Sequence, residues 1–154
     1  MSKILITGAT GFIGSHLAEL CIEQGFDVVA FDRYNPNNHW GWLEHSKYKN
    51  DFNVILGDIR DYDSVYKAME GCNAVFHLAA LADIVPSIQD PLRYLRAGSD
   101  ATISVLEAAR VAGVSRFVYA ASSSCYGIPD IYPTPEEAPV RPQYPYALAK
   151  NLGE

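Results

Sequence analysis

Tyr146 and Lys150 are the residues whose types and spacing most clearly indicate chemistry. They lie four positions apart at the start of a predicted helix, so their side chains point the same way. A free phenol has a pKa of about 10 and is a poor base at pH 7. A neighbouring positive charge favours the phenolate and brings this pKa toward a useful range. The pair therefore predicts a tyrosine that acts as acid and base with help from a lysine.

Ser122 begins a run of serines that follows residues 116–121, a predicted strand. A hydroxyl at a strand end can share a proton path or donate a hydrogen bond to a reacting oxygen. Ser122 is favoured for this role over Ser123 and Ser124. His77 lies within another predicted strand, and a hydrogen-bonded core histidine is the simpler interpretation than a base.

Residues 8–14 place three glycines, Gly8, Gly11 and Gly14, between a predicted strand, Lys3–Thr7, and a predicted helix at 12–24. Glycines in such a turn let the chain turn tightly, approach a pyrophosphate and pack the helix on the sheet. The free N–H groups at the helix start, aided by the helix dipole, then bind phosphates. A dinucleotide-binding loop is favoured over a plain strand–helix turn.

Asp32 ends the second predicted strand, residues 27–31. A carboxylate there can accept hydrogen bonds from both ribose hydroxyls of NAD and would repel the 2′-phosphate of NADP. Arg33 is a residue type that accommodates this phosphate, yet NAD is favoured because the acidic residue holds the strand-end position. Asp58 follows the third predicted strand, residues 53–56, and is open to two interpretations: an adenine contact or a helix cap.

Strands and helices alternate along the whole chain. Apolar patterns also predict a helix that begins at Asp61 and stops at Gly71, a strand at 74–78 and a long helix within 91–112. This alternation predicts a parallel sheet with helices on both faces, and right-handed crossovers favour a doubly wound α/β (Rossmann) fold. Two long irregular segments, 33–50 and 127–145, are either functional loops or decoration.

The composition is that of one globular domain of 154 residues, 49% hydrophobic and 19% charged. A net charge of −6 without a cluster of Lys or Arg argues against nucleic acid or an anionic membrane as a partner. Three cysteines without metal-ligand spacing favour a reduced, cytoplasmic compartment and predict no metal site. No segment has the length of a signal peptide or a membrane span.

The order of these motifs resembles that in extended short-chain dehydrogenases/reductases, and among them the NAD-dependent epimerase/dehydratase family that acts on nucleotide-linked sugars. The motifs are TGATGFIG, the acidic Asp32, GDIRD (57–61), HLAA (77–80), SSSCYG (122–127) and YALAK (146–150). The resemblance covers nearly the whole chain and implies a Rossmann domain followed by a smaller substrate domain. It also implies NAD as cofactor and a nucleotide sugar as substrate, and it leaves a homodimer or other self-association open.

The resemblance further implies roles for individual residues. Tyr146 is the acid and base, Lys150 contacts the tyrosine and the nicotinamide ribose, and Ser122 contacts the substrate hydroxyl. Ser123 and Ser124 lie beside the substrate. The residues expected to bind the cofactor are Gly8, Gly11, Phe12, Ile13, Gly14, Asp32, Arg33, Asp58, Ile59, Leu78, Ala79, Ala80, Tyr146 and Lys150.

Ser123 and Ser124 favour the epimerase branch of this family. The related 4,6-dehydratases carry an acidic pair at these positions, because elimination of water needs an additional acid and base. Residues 34–43, in contrast, are similar to a segment of some dehydratases. We therefore expect NAD-dependent epimerisation of a nucleotide sugar through a transient ketone. A 4,6-dehydratase and an NAD-binding module without turnover are the alternatives.

Two features depart from the family pattern. Where the family has Asn-x-x-Gly-Thr in the long helix, this chain has Gly98 and Ala101 at the Asn and Gly positions. A glycine within a helix costs up to about 1 kcal/mol relative to alanine, which only a broken or altered helix would explain.

The chain also ends at Glu154, four residues after Lys150. From this we expect the substrate domain to be absent, and cofactor binding without sugar turnover.

Overall fold

Five parallel strands form the sheet at the centre of the computed structural model, which describes residues 2–154. The strands are β1 (Lys3–Thr7), β2 (Asp27–Arg33), β3 (Asn53–Gly57), β4 (Cys72–His77) and β5 (Arg116–Tyr119). Their order across the sheet is β3-β2-β1-β4-β5, and every neighbouring pair is parallel. The predicted doubly wound Rossmann fold is confirmed.

Helices cover both faces of this sheet. They are α1 (Phe12–Glu23), α2 (Tyr62–Ala68), α3 (Ile84–Gln89), α4 (Pro91–Leu95), α5 (Ala101–Val111) and α6 (Pro145–Asn151). On one face, Leu5 and Phe31 pack with Val65 of α2 and Val105 of α5. On the other face, Ile6 and Val28 pack with residues of α1 and of a 3₁₀ turn, Gly41–His45. Because both faces are buried, the central strands are nearly continuous apolar runs.

The strand order reverses at β1, which pairs with β2 on one side and with β4 on the other. Thr7, the last residue of β1, is aligned with Phe31 and with His77. The segments that follow these three strands therefore meet at one edge of the sheet. In open parallel sheets, ligands bind at such a switch point, outside the carboxyl ends of the strands.

The long helix expected within 91–112 is three helical segments. Between α4 and α5 the chain forms a π-helical turn, Arg96–Asp100. A Cβ added at Gly98 would lie 2.7 Å from the Cβ of Ala149 in α6, so the glycine permits close packing of the two helices. The helix is thus altered at Gly98, as the sequence required, and the close approach to α6 gives the physical reason.

Several element boundaries differ from those predicted from sequence. Strand β5 ends at Tyr119 rather than at residue 121, because the chain turns there into a 3₁₀ turn, Ser123–Tyr126. Helix α3, which contains Pro86 and has exposed apolar residues, had no predicted counterpart. Among the helices within residues 2–154, none is long and apolar enough to cross a membrane.

Candidate active site

A cavity of about 490 Å³ opens at the carboxyl edge of strands β1 to β4. The residues that line it and that were expected to bind the cofactor are Gly8, Gly11, Asp32, Arg33, Asp58, Ile59, Leu78, Ala79 and Ala80. The other lining residues are Thr10, Gly57, Arg60, Leu81, Arg93 and Ala97. The structure thus brings together residues from four strand ends around one concave site.

The glycine turn after β1 is too tightly packed for side chains. A Cβ on Gly14 would lie 2.1 Å from the carbonyl oxygen of Gly8, and a Cβ on Gly8 would lie 2.9 Å from the backbone nitrogen of Ala79. Gly11 is the N-cap of α1 and brings no capping side chain. The first N–H groups of α1 therefore remain available to an anion, and this turn fits the pyrophosphate of a dinucleotide.

Phe12 and Ile13 do not line the cavity with their side chains. Phe12 is 62% exposed and Ile13 is 70% exposed, and the Phe12 ring packs edge-on against Trp42 at a centroid distance of 5.6 Å. Any contact of these two residues with a ligand in the cavity would therefore pass through their backbone N–H groups.

Asp32 is held by three hydrogen bonds at the end of β2. Its Oδ2 accepts from the backbone N–H of Thr10 at 2.8 Å and from the Thr10 hydroxyl at 2.7 Å. Its Oδ1 accepts from the backbone N–H of Arg33 at 2.6 Å. The carboxylate is thus fixed beside the glycine turn, where the cavity wall is formed.

Asp58 faces the same cavity and is paired with Arg60. The Arg60 Nε donates to its Oδ1 at 2.9 Å, and hydrogen bonds from this guanidinium hold the pKa of Asp58 below its ordinary value. The residue that caps α2 is Asp61, whose side chain accepts from the backbone N–H groups of Asp63 and Ser64. The helix-cap interpretation of Asp58 was therefore wrong. The reason is local: three residues separate Asp58 from the first N–H groups of the helix, and Arg60 takes its oxygens instead.

Ser122 lies where the chain leaves β5 and enters the 3₁₀ turn. Its Oγ accepts from the backbone N–H of Ser124 at 3.2 Å and lies 2.7 Å from the Ser124 hydroxyl. Ser123 is exposed. The turn is docked on α6, because the Cys125 thiol lies 3.6 Å from the carbonyl oxygen of Ala147. The serine run and the helix that carries Tyr146 and Lys150 are therefore neighbours.

Lys150 is 5% exposed and is tied to the end of β5. Its Nζ donates to the carbonyl oxygen of Ala120 at 2.6 Å and lies 4.8 Å from the ring centroid of Tyr119. The backbone N–H of Ala120 in turn donates to the carbonyl oxygen of His77 at 3.1 Å. Burial lowers the pKa of Lys150. Lys150 thus reaches the same sheet edge at which Leu78 lines the cavity.

Tyr146 is half-buried on α6, one helical turn before Lys150. Because residues four apart lie on one side of a helix, its ring is on the side of α6 from which Lys150 reaches the strand end. Neither Tyr146 nor Lys150 lines the cavity that the glycine turn forms. The buried ammonium group of Lys150 and the hydroxyl of Ser122 thus lie at the carboxyl end of β5, and Tyr146 lies one helical turn before Lys150 on α6.

His77 is a core residue, as the sequence indicated. It is 1% exposed, its Nδ1 lies 2.7 Å from the Thr7 hydroxyl and its Nε2 lies 3.1 Å from the Thr102 hydroxyl. Burial, and secondarily the charge of Lys150, lowers its pKa to about 4. With both nitrogens occupied and a neutral ring at pH 7, it serves the packing of β4 rather than acid–base chemistry.

Sequence reasoning missed several residues of the cavity wall. Thr10 carried a signal, since it lies inside the glycine motif, but its bond to Asp32 depends on how β1 and β2 pair. Arg93 and Ala97 lie four apart on adjoining helical segments, which would have suggested a shared face. Their position on the cavity depends on tertiary packing, which the sequence pattern does not specify.

The chain is similar to known proteins that act on nucleotide sugars. The family model described as GDP-mannose 4,6 dehydratase matches residues 5–154. The UDP-glucose 4-epimerase of Mycolicibacterium smegmatis is 36% identical over 99% of this chain and 49% of its own length. That of Streptomyces lividans is 33% identical over 96% of this chain and 44% of its own. The chain thus spans about half the length of these relatives.

Solved structures show the same similarity. A UDP-glucose-4-epimerase from Stenotrophomonas maltophila, with bound NAD and formylated UDP-arabinopyranose, superposes with a TM-score of 0.89 at 30% identity, over 99% of this chain and 46% of that chain. A UDP-N-acetylglucosamine 4-epimerase from Methanobrevibacter ruminantium, in complex with UDP-N-acetylmuramic acid, gives a TM-score of 0.89 at 30% identity, over 99% and 48% of the two chains.

Proposed function

This chain belongs to the family described as GDP-mannose 4,6 dehydratase, and on that premise we propose that it binds NAD and carries the catalytic residues of a nucleotide-sugar epimerase. The observation that carries the proposal is the bond from Lys150 Nζ to Ala120 at the end of β5. This bond supports the proposal because Ala120 directly follows β5, so the buried ammonium group, one helical turn after Tyr146 on α6, lies at the carboxyl edge of the sheet. The NAD-bound relatives support the choice of cofactor.

In this proposal the cavity holds NAD by its adenosine and pyrophosphate. The N–H groups of Phe12 and Ile13 at the start of α1 bind the pyrophosphate. The carboxylate of Asp32 accepts from the adenosine ribose, and Asp58 with Ile59 contacts the adenine. Bound NAD would supply hydride-acceptor and hydride-donor chemistry beside the sugar carbon that changes configuration.

In that reaction, Tyr146 and Lys150 on α6 and Ser122 at the start of the 3₁₀ turn act on the hydroxyl group of the sugar. Tyr146 removes the proton from the sugar hydroxyl and later gives it back. The positive charge of Lys150 favours the phenolate. Ser122 donates a hydrogen bond to the sugar oxygen and holds it near Tyr146.

Epimerisation is favoured over water elimination by the residues beside Ser122. Elimination needs an additional acid and base, whereas Ser123 is an exposed hydroxyl and Ser124 is hydrogen-bonded to Ser122. Two observations support the 4,6-dehydratase alternative: the description of the matching family and the similarity of residues 34–43 to a segment of some dehydratases. The relatives of this chain that are named 4-epimerases support the epimerase instead.

The experiment that tests this assignment compares the Tyr146→Phe and Tyr144→Phe changes in a full-length relative that carries these residues, supplied with NAD and UDP-glucose. Removal of the Tyr146 hydroxyl should lower turnover by about 10²–10⁴-fold and leave NADH affinity nearly unchanged, because this phenol transfers a proton. Tyr144, the N-cap residue of the same helix, is the matched control and should keep near-normal turnover. Near-normal turnover by Tyr146→Phe would mean that another group is the base.

A further inference from the structure

The long segment 33–50 contacts the backbone of Thr10. Thr10 in turn contacts Asp32 on the cavity wall. The proposed function uses Asp32 but gives no role to Thr10 or to that segment. We propose that Thr10 is a positioning residue that sets the preference for NAD over NADP by fixing the Asp32 carboxylate. This inference rests on the proposed function, since it assumes that the cavity takes a dinucleotide.

Thr10 occupies one oxygen of Asp32 almost completely. Both the backbone N–H and the hydroxyl of Thr10 donate to Oδ2, at 2.8 Å and 2.7 Å. The backbone N–H of Arg33 donates to Oδ1 at 2.6 Å. A carboxylate offers about four acceptor positions, so the remaining capacity lies mainly on Oδ1. Thr10 therefore determines which oxygen is left for a ligand.

Thr10 is itself held from outside the cavity by the 3₁₀ turn Gly41–His45. The backbone N–H of Trp42 donates to the Thr10 carbonyl oxygen at 3.0 Å. A Cβ on Gly41 would lie 2.4 Å from that same oxygen, so the turn is seated directly on the Thr10 backbone. The side chain of Leu43 in this turn is fully buried in the core. The core thus supports Thr10, and Thr10 supports Asp32.

A fixed carboxylate distinguishes the two dinucleotides by hydrogen-bond chemistry. A ribose 2′-hydroxyl donates to the free acceptor of Asp32, whereas a 2′-phosphate at the same place has only negatively charged acceptors and is repelled. The repulsion is largest when the carboxylate cannot rotate away. Loss of the Thr10 hydroxyl leaves Oδ2 with only the backbone N–H of Thr10 as a donor. Rotation of the carboxylate is then easier, so the preference should shrink even though Asp32 is still present.

The test measures NADH and NADPH affinity by titration calorimetry for the unmodified protein, Thr10→Val and Thr10→Ser. Valine keeps the shape of threonine without the hydroxyl, and serine keeps the hydroxyl. We expect Thr10→Val to reduce the ratio of the two affinities roughly tenfold, mostly through weaker NADH binding, and Thr10→Ser to retain it. An unchanged ratio in Thr10→Val, or an equal loss in Thr10→Ser, would overturn the inference.

Gly41→Ala tests the same inference without substituting Asp32 or any residue that donates a hydrogen bond to it. The added Cβ should displace the Thr10 backbone and reduce the NADH:NADPH ratio in a protein whose circular dichroism spectrum is unchanged. A ratio equal to that of the unmodified protein would show that the turn does not support the site. If the unmodified protein binds neither dinucleotide, the proposed function fails, a result distinct from dinucleotide binding whose preference ignores Thr10.

Discussion

At the scale of single residues, two basic side chains lie buried at the carboxyl edge of the sheet under different electrostatic conditions. The Lys150 ammonium group donates a hydrogen bond to the Ala120 carbonyl oxygen and lies over the Tyr119 ring. These contacts stabilise a buried positive charge. His77 has the hydroxyls of Thr7 and Thr102 as partners. They suit a neutral ring, since each hydroxyl can both donate and accept. The charged group is thus the one on the helix of the proposed active site.

The low pKa of His77 makes stability depend on pH. In the unfolded chain the ring takes up a proton near its ordinary pKa of 6.5, and in the folded protein only near 4. Acidification therefore favours the unfolded state in this window, and stability is lost as the pH falls from about 6.5 toward 4. Between pH 7.5 and pH 5 the free energy of unfolding should fall by roughly 2 kcal/mol from this residue.

Urea unfolding at the two pH values measures this effect. His77→Gln, which keeps polar groups near both threonines, should show a smaller decrease than the unmodified protein. His45→Gln is the control, because His45 is exposed at the end of the 3₁₀ turn, and it should behave like the unmodified protein. An equal pH dependence in His77→Gln would show that other groups cause it.

At the scale of elements, the π-helical turn and Gly98 determine how closely α6 approaches the rest of the fold. Helix propensity alone would make Gly98→Ala stabilising by up to about 1 kcal/mol. The distance of 2.7 Å to the Ala149 Cβ predicts the opposite sign, with a loss of about 1–3 kcal/mol from overpacking. The sign of the change therefore distinguishes close packing from propensity.

A double-mutant cycle of Gly98→Ala and Ala149→Gly measures this contact by thermal or urea unfolding. Because Ala149→Gly removes the atom that the new Cβ would meet, the double variant should be more stable than the two single effects predict. Additive effects, or a Gly98→Ala protein at least as stable as the parent, would contradict the packing explanation. Since α6 carries Tyr146 and Lys150, the proposed function predicts that Gly98→Ala also reduces turnover in a full-length relative that carries these residues.

The strands and the glycine turn could be predicted from sequence because their signals are local. Strand β1 matches its prediction, since a parallel strand buried on both faces is an apolar run that stops at a turn residue. Helix α3 gave no such signal, because it contains Pro86 and leaves Val85 and Ile88 exposed. Its first residue follows Asp83, whose φ is 85°, a conformation that tertiary contacts must impose.

The candidate site could likewise be predicted only in part. Asp32, the glycines and the Tyr146–Lys150 pair were predicted from residue type and spacing. The hydrogen bonds from Thr10 to Asp32 and from Lys150 to Ala120 join residues distant in sequence. They depend on strand register and on the docking of α6, neither of which a single sequence specifies. The role of Arg60 as partner of Asp58 was missed although the two are neighbours, because a capping role was considered instead.

At the scale of the whole molecule, the net charge of −6 does not describe the cavity. Arg33, Arg60 and Arg93 all line it, together with Asp32 and Asp58. Arg60 is engaged by Asp58, whereas the start of α1 contributes N–H groups and the positive end of a helix dipole. An anionic ligand thus meets a local field that differs from that of the protein as a whole, which is compatible with a dinucleotide bound to an acidic protein.

The most direct test of the central claim is the mass of the sugar product that a full-length relative carrying these residues forms in deuterium oxide from UDP-glucose and NAD. The proposed epimerisation uses Tyr146 only for the hydroxyl proton, and the hydrogen on the reacting carbon is retained. The product, after exchange back into ordinary water, should therefore be an epimer of unchanged mass without carbon-bound deuterium. A product that has lost water, a product with deuterium on carbon, or no conversion at all would contradict the proposed function.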